Sequence, residues 1–101
     1  MVSKRRVLVT GASGLIGGLV IKNLGDKYEF SALNRRPIEG IASLQADISN
    51  FDAIHPAFDG IDTVLHLGAL ATPGLTNNWD GIVSANIHGT FNVYEASRIS
   101  G

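Results

Sequence analysis

The stretch VLVTGASGLIGG, Val7–Gly18, sets four glycines within eight residues directly behind an apolar run. Val7, Leu8 and Val9 are continuous and apolar, as in a strand buried on both faces of a parallel sheet, and Gly11 ends the run. From Gly14 the period changes: Leu15, Ile16, Leu19, Val20, Ile21 and Leu24 read as one apolar helical stripe, closed by Gly25 and Asp26. Between strand and helix, glycines recur at every third position, Gly11, Gly14 and Gly17. Gly11 lets the chain turn sharply, Gly14 lets backbone approach a pyrophosphate, and Gly17 lets the helix pack close to the sheet. The amides at the helix start then point at phosphate, aided by the helix dipole. Two competing readings stay open here, a close-packed turn with no ligand and a methyltransferase-type glycine loop. A P-loop is disfavoured, because no Gly-Lys-Ser/Thr follows.

Working outward, Tyr28 to Leu33 reads as a second strand stopped by Asn34-Arg35-Arg36-Pro37, and Ser43 to Ala46 as a third. Phe51 to Phe58 reads as a short helix capped by Ser49 or Asn50, with Pro56 as a complication. Asp62 to Leu67 reads as a fourth strand. A loop from Gly68 to Asn77 precedes a long helix from Trp79 to Ser100. Strands alternating with helices imply an α/β fold, a Rossmann-type doubly wound parallel sheet in the order 3-2-1-4. Residues 1–101 read as one domain, the N-terminal half of such a fold, truncated before a fifth strand.

Composition bounds the function. The chain is 45% hydrophobic and 17% charged with net charge −1, ordinary for a folded domain and without the basic face that nucleic acid requires. It has no cysteine, which rules out a disulfide framework or a thiolate metal site. No apolar run suits a signal peptide or a membrane span, so a cytoplasmic protein is the default expectation. His55, His66 and His88 lack ligand-spaced partners; His66, in an apolar strand, is expected to pack or bond to backbone, and no metal site is expected. Trp79 and Phe91 read as packing anchors, and Tyr94 as a core or interface residue.

Four segments together resemble one family. TGASGLIGG (Thr10–Gly18) is similar to the TGxxGxxG loop of the extended short-chain dehydrogenase/reductases, the NAD-dependent epimerase/dehydratase family. ADIS (Ala46–Ser49) resembles its acidic turn after the third strand. GIDTVLHLGA (Gly60–Ala69) resembles its fourth strand, and NIHGTFNVYEASR (Asn86–Arg98) its NxxGTxNxxEAxR helix. Within the family, HLGA and that helix look most like the uronate dehydrogenases. The resemblance implies that Gly11, Gly14 and Gly17 hold a pyrophosphate, with Ser13, Leu15 and Ile16 around them. It implies that Asp47 and Ile48 contact adenine, and that Leu67, Gly68 and Ala69 line the ribose and nicotinamide side. Asn86 would brace the long helix against the sheet.

The resemblance also implies the cofactor, NADP or NAD. Where NAD-preferring members carry an acid after the second strand, this chain has Asn34, followed by Arg35 and Arg36. Asparagine does not repel a 2′-phosphate and two guanidiniums can pair with one, so the pattern tilts toward NADP. The family's catalytic Ser or Thr and Tyr-x-x-x-Lys pair would fall after the last residue, so this chain alone is expected to bind without catalysing. Tyr94-Glu-Ala-Ser-Arg98 has the right spacing, but arginine cannot take the lysine's titrating role. The whole protein would be an oxidoreductase or epimerase acting on a sugar, sugar acid or sugar nucleotide, expected as a homodimer through the long helix. The alternatives are a non-catalytic NAD(P)-sensing module and a methyltransferase half-domain holding S-adenosylmethionine.

Overall fold

The computed structural model describes residues 4–68 and 79–101. Its centre is β1 (Arg6–Thr10), flanked by β2 (Glu29–Asn34) on one side and β4 (Thr63–His66) on the other, with β3 (Ala42–Gln45) outside β2. All pairings are parallel and the order is β3-β2-β1-β4, as the alternation of strands and helices predicts. In register, Val9 lies opposite Ala32 of β2 and Leu65 of β4.

Alternation along β1 divides the core into two layers. Leu8 joins Leu33, Ile54, Phe58, Val93 and Ala96 on one face of the sheet. Val7 and Val9 join Ala12, Phe30 and Ala32 on the other, where Val20, Ile21 and Leu24 of α1 (Leu15–Leu24) pack. The first layer is closed by α2 (Phe51–Ile54), the 3-10 turn His55–Phe58, and the long helical run at the end of the chain. That run comprises α3 (Trp79–Ile82), a π-helical segment Val83–His88 and α4 (Gly89–Ser100).

Several boundaries differ from the sequence reading for identifiable reasons. Tyr28 donates its N–H to Leu24 O at 3.2 Å and so completes the end of α1 rather than opening β2. The Asp62 carboxylate accepts the Arg6 N–H at 2.8 Å, capping the start of β1 instead of extending β4. Pro56 divides the expected Phe51–Phe58 helix, because it has no N–H to continue the α ladder and sits at the head of a 3-10 turn. Of the two candidate caps, Asn50 serves, accepting the Ala53 N–H at 3.2 Å; Ser49 turns to Asp47 instead.

The apolar stripe of α1 is a correction. At roughly 100° per residue, Gly17, Val20, Ile21 and Leu24 cluster on one face, while Leu15, Ile16 and Leu19 fall opposite. Those three are 80%, 63% and 51% exposed. In α4 the same geometry buries Gly89, Val93 and Ala96 and leaves Phe91 and Tyr94 outside, 65% and 71% exposed, so among the described residues Phe91 is not a packing anchor and Tyr94 is not core. The Gly68–Asn77 loop beyond Gly68, and the Trp79 side chain, lie outside the described residues. Among the described residues no helix is long and apolar enough to cross a membrane.

Candidate functional site

Because the four strands are parallel, their carboxyl ends share one edge of the sheet, and the segments expected to bind leave from that edge. Gly11 carries the chain off β1 with φ +69, a left-handed conformation that a side chain disfavours. It also has no room for one: a Cβ there would stand 2.8 Å from Gly68 N and from Leu67 C. The turns after β1 and β4 therefore touch backbone to backbone. At Gly17 a Cβ would meet Ala12 Cα and Gly11 O at 2.9 Å, so this glycine sets how closely α1 approaches the sheet.

Gly14 differs from both. The nearest protein atom to a Cβ there is Gly11 O at 3.4 Å, an ordinary contact, and its φ of −74 suits any residue. Among the described residues, packing does not require glycine at this position. Gly14 is also the N-cap of α1, and no side chain caps the helix; its first turn holds no acid. A positive helix end with no side-chain cap, behind a glycine whose Cβ position meets only Gly11 O among the described residues, fits a pyrophosphate, whose oxygens would take the amides of Leu15 and Ile16. Ser13 is exposed beside them and reaches Asn34 Oδ1 at 3.5 Å.

At the end of β2, Asn34 is 8% exposed and its amide is used internally, donating to Arg36 O at 2.8 Å. Arg35 and Arg36 are exposed at the rim. Across the rim, Asp47 accepts the Ser49 N–H and hydroxyl on one oxygen, both at 2.9 Å. The Ser49 N–H holds the Asp47 carboxyl below its usual value; partial burial opposes this, and the Ser49 hydroxyl and the Arg35 charge add to it. Asp47 is thus an anion at neutral pH, with its second oxygen left outside the Ser49 pair.

Ile48 fills the space between the β4 turn and α4. A Cβ at Gly89 would sit 2.6 Å from Ile48 Cδ1, and one at Gly68 would sit 3.5 Å from it. Asn92 adds a bond that sequence reasoning assigned to no residue: its Nδ2 donates to Ile48 O at 2.9 Å, tying α4 to the Asp47–Ile48 turn. Its signal in the sequence is the second Asn of the NxxGTxN pattern. Asn86, expected to brace the helix, lies half-buried in the π-helical segment. Ala69 lies outside the described residues.

His66 is half-buried, in keeping with the packing half of its expectation, yet its ring bonds not to backbone but to two hydroxyls, Thr10 Oγ1 at Nδ1 (2.6 Å) and Thr90 Oγ1 at Nε2 (3.1 Å). Burial pushes its pKa below the usual 6.5. Among the described residues no group of three or more His, Asp or Glu could hold a metal.

Relatives of known family share this fold. The family model described as the NAD dependent epimerase/dehydratase family matches residues 7–101. The chain belongs to that family. It is 38% identical over 92 residues to an L-arabinose 1-dehydrogenase (NAD(P)(+)) of Haloferax volcanii, covering 91% of this chain and 35% of that protein. A uronate dehydrogenase of Pseudomonas putida is 30% identical over 102 residues, covering 95% of this chain and 37% of that one. A mutant uronate dehydrogenase from Agrobacterium tumefaciens, solved in complex with NAD, superposes with a TM-score of 0.83 at 27% identity, covering 96% of this chain and 37% of that one. The chain therefore spans little more than a third of the length of these relatives.

Proposed function

We propose that residues 1–101 are the dinucleotide-binding portion of an NAD(P)-dependent oxidoreductase or epimerase that acts on a sugar, sugar acid or sugar nucleotide. The carrying observation is the uncapped start of α1 behind Gly14, a position that protein packing alone does not keep as glycine. Gly11, Ser13, Gly14, Leu15, Ile16 and Gly17 would cradle the pyrophosphate. Asp47 would accept from the adenine amino group through its outer oxygen, with Ile48 against the ring. Leu67, Gly68 and Ala69 would face the ribose and nicotinamide, and Asn86 would support the helix beside them. The nicotinamide, when bound, supplies hydride transfer at a carbinol carbon. The sugar class follows the arabinose and uronate dehydrogenases among the relatives.

The dinucleotide is NADP in preference to NAD in this reading. Asn34 puts no negative charge where a 2′-phosphate would lie, and Arg35 and Arg36 stand exposed beside it. Calorimetric titration should give a dissociation constant for NADP about threefold or more below that for NAD, a modest ratio because exposed ion pairs are screened. The reverse order would overturn the preference, and binding of neither would overturn the dinucleotide reading itself.

Two further features support a larger assembly. The outer edge of β4 is unpaired among the described strands, and a cavity of about 510 Å³ opens between it and α4, its lining mixing apolar Phe58, Val64 and Val93 with polar Asp62, His66 and Thr90. An unpaired edge of this kind suits a further strand, so the domain would continue past the fourth strand. The exposed Ile87, Phe91 and Tyr94 form an apolar face on the last helices that suits the same face of a second copy. Light scattering should show a dimer; a monomer at micromolar concentration would overturn that pairing.

A further inference from the structure

Thr10 Oγ1 sits at the centre of three partners. It accepts the Gly68 N–H at 3.0 Å and the Leu67 N–H at 3.0 Å, the latter shared with Thr10 O at 3.2 Å. It also lies 2.6 Å from His66 Nδ1. A hydroxyl has two lone pairs and one proton. Both lone pairs face amides that can only donate, so the proton must go to His66 Nδ1, which accepts. His66 is then neutral with its hydrogen on Nε2, donating to Thr90 Oγ1.

This fixes more than a tautomer. Leu67 and Gly68 are the residues whose backbone presses on Gly11, where the chain leaves β1 for the pyrophosphate loop. The Thr10 hydroxyl can hold both amides only while its proton has an acceptor. Protonating Nδ1 would set an N–H against an oxygen whose lone pairs are already taken. The hydroxyl would have to turn and release an amide, loosening the contact between the two turns.

We propose that neutral His66, acting through Thr10, is the positioning residue that sets the Gly11–Gly68 contact, so that its protonation weakens dinucleotide binding. The inference rests on the dinucleotide reading above. It is His66 and not a neighbouring charge that switches. Asp62 and Tyr94 line the same cavity as His66, Arg6 opens β1, Glu95 and Arg98 pair with each other along α4, and His88 is exposed ahead of Thr90. The lowered pKa of His66 comes from burial alone. Folded chain therefore binds fewer protons than unfolded chain just below 6.5. The contribution of the neutral ring to stability is complete above that value and is lost as pH falls through the lowered one.

Imidazole nitrogen NMR on the chain at about pH 7.5, above the ordinary histidine range, should show the proton on Nε2. A proton on Nδ1 would overturn the proposal. As His66 titrates, the Leu67 and Gly68 amide resonances should move with it; their indifference would overturn the relay whether or not a ligand binds. In NAD titrations, affinity should fall by roughly 3- to 10-fold through the same pH range, the loss expected for one hydrogen bond. His66→Asn keeps an acceptor toward Thr10 but lacks the bond to Thr90, so it should weaken binding, and because it cannot titrate it should flatten the pH profile. His88→Gln should leave the profile in place. A flat wild-type profile, or one abolished by His88→Gln, would overturn the proposal. Failure of NAD to bind at any pH would instead overturn the dinucleotide reading, while the amide shifts still decide the relay.

Discussion

Replacing Gly11 by alanine should lower the melting temperature by roughly 12–24 °C, given about 4–8 °C per kcal/mol for a domain of this size. Two penalties combine. At φ +69 the backbone is left-handed, which disfavours any L side chain by about 1–2 kcal/mol. The added carbon would also meet Gly68 N and Leu67 C at 2.8 Å and Leu67 O at 2.9 Å. These are backbone atoms of a strand end that cannot swing aside like a flexible side chain. Forcing extra volume into such packing costs about 1–3 kcal/mol, so the whole effect is about 3 kcal/mol. Calorimetry reads it directly, and a loss under about 4 °C would mean that the turns after β1 and β4 are not in contact.

Gly14→Ala should behave in the opposite way, folding normally and losing the ligand. Its φ of −74 and ψ of 172 are open to alanine, and the new carbon meets nothing closer than Gly11 O at 3.4 Å. Alanine is the poorer N-cap, yet it restricts the unfolded chain, so stability should stay within about 1 kcal/mol. The carbon would enter the space that a pyrophosphate takes against the helix start. The resulting overlap should raise the dissociation constant for NAD by at least about tenfold, corresponding to about 1.4 kcal/mol. Unchanged affinity would place the phosphates elsewhere, and a large drop in melting temperature would give Gly14 a packing role. The two glycines, three residues apart, thus separate folding from binding.

Much of this was legible in the chain. The apolar run Val7–Val9, the glycine turn and the later strands predict a parallel sheet with β1 in its interior, and that order is observed. Burial on both faces demands continuous apolar residues, which composition reveals directly. Less legible was which apolar residues of a helix face inward. Leu15, Ile16 and Leu19 look equivalent to Val20, Ile21 and Leu24 as hydrophobic letters, and only the position of Gly17 marks the inward face. The site divided similarly. Glycine spacing announces backbone approach, because only one residue type serves there. The bond of His66 to Thr90 and the Asn92 bond to Ile48 depend on which side chains converge from segments 24 and 44 residues apart. No local pattern encodes such distances.

The contact between Gly11 and Gly68 joins positions far apart along the chain: the Thr10 hydroxyl binds an amide 58 residues downstream. By contrast, β1 and β2 are joined through α1 alone. Closing the longer loop adds only a slowly growing entropic cost, but the cost must be met before the contact exists. The β1–β2–β3 layer with α1 can therefore form while β4 is still unpaired. The two turns that touch at the candidate site come together only when β4 docks. On loop entropy alone, the binding surface is expected to belong to the late, long-range part of folding, and an opening of the β4 edge to dissolve it while the rest of the sheet persists, a separation that hydrogen exchange would read.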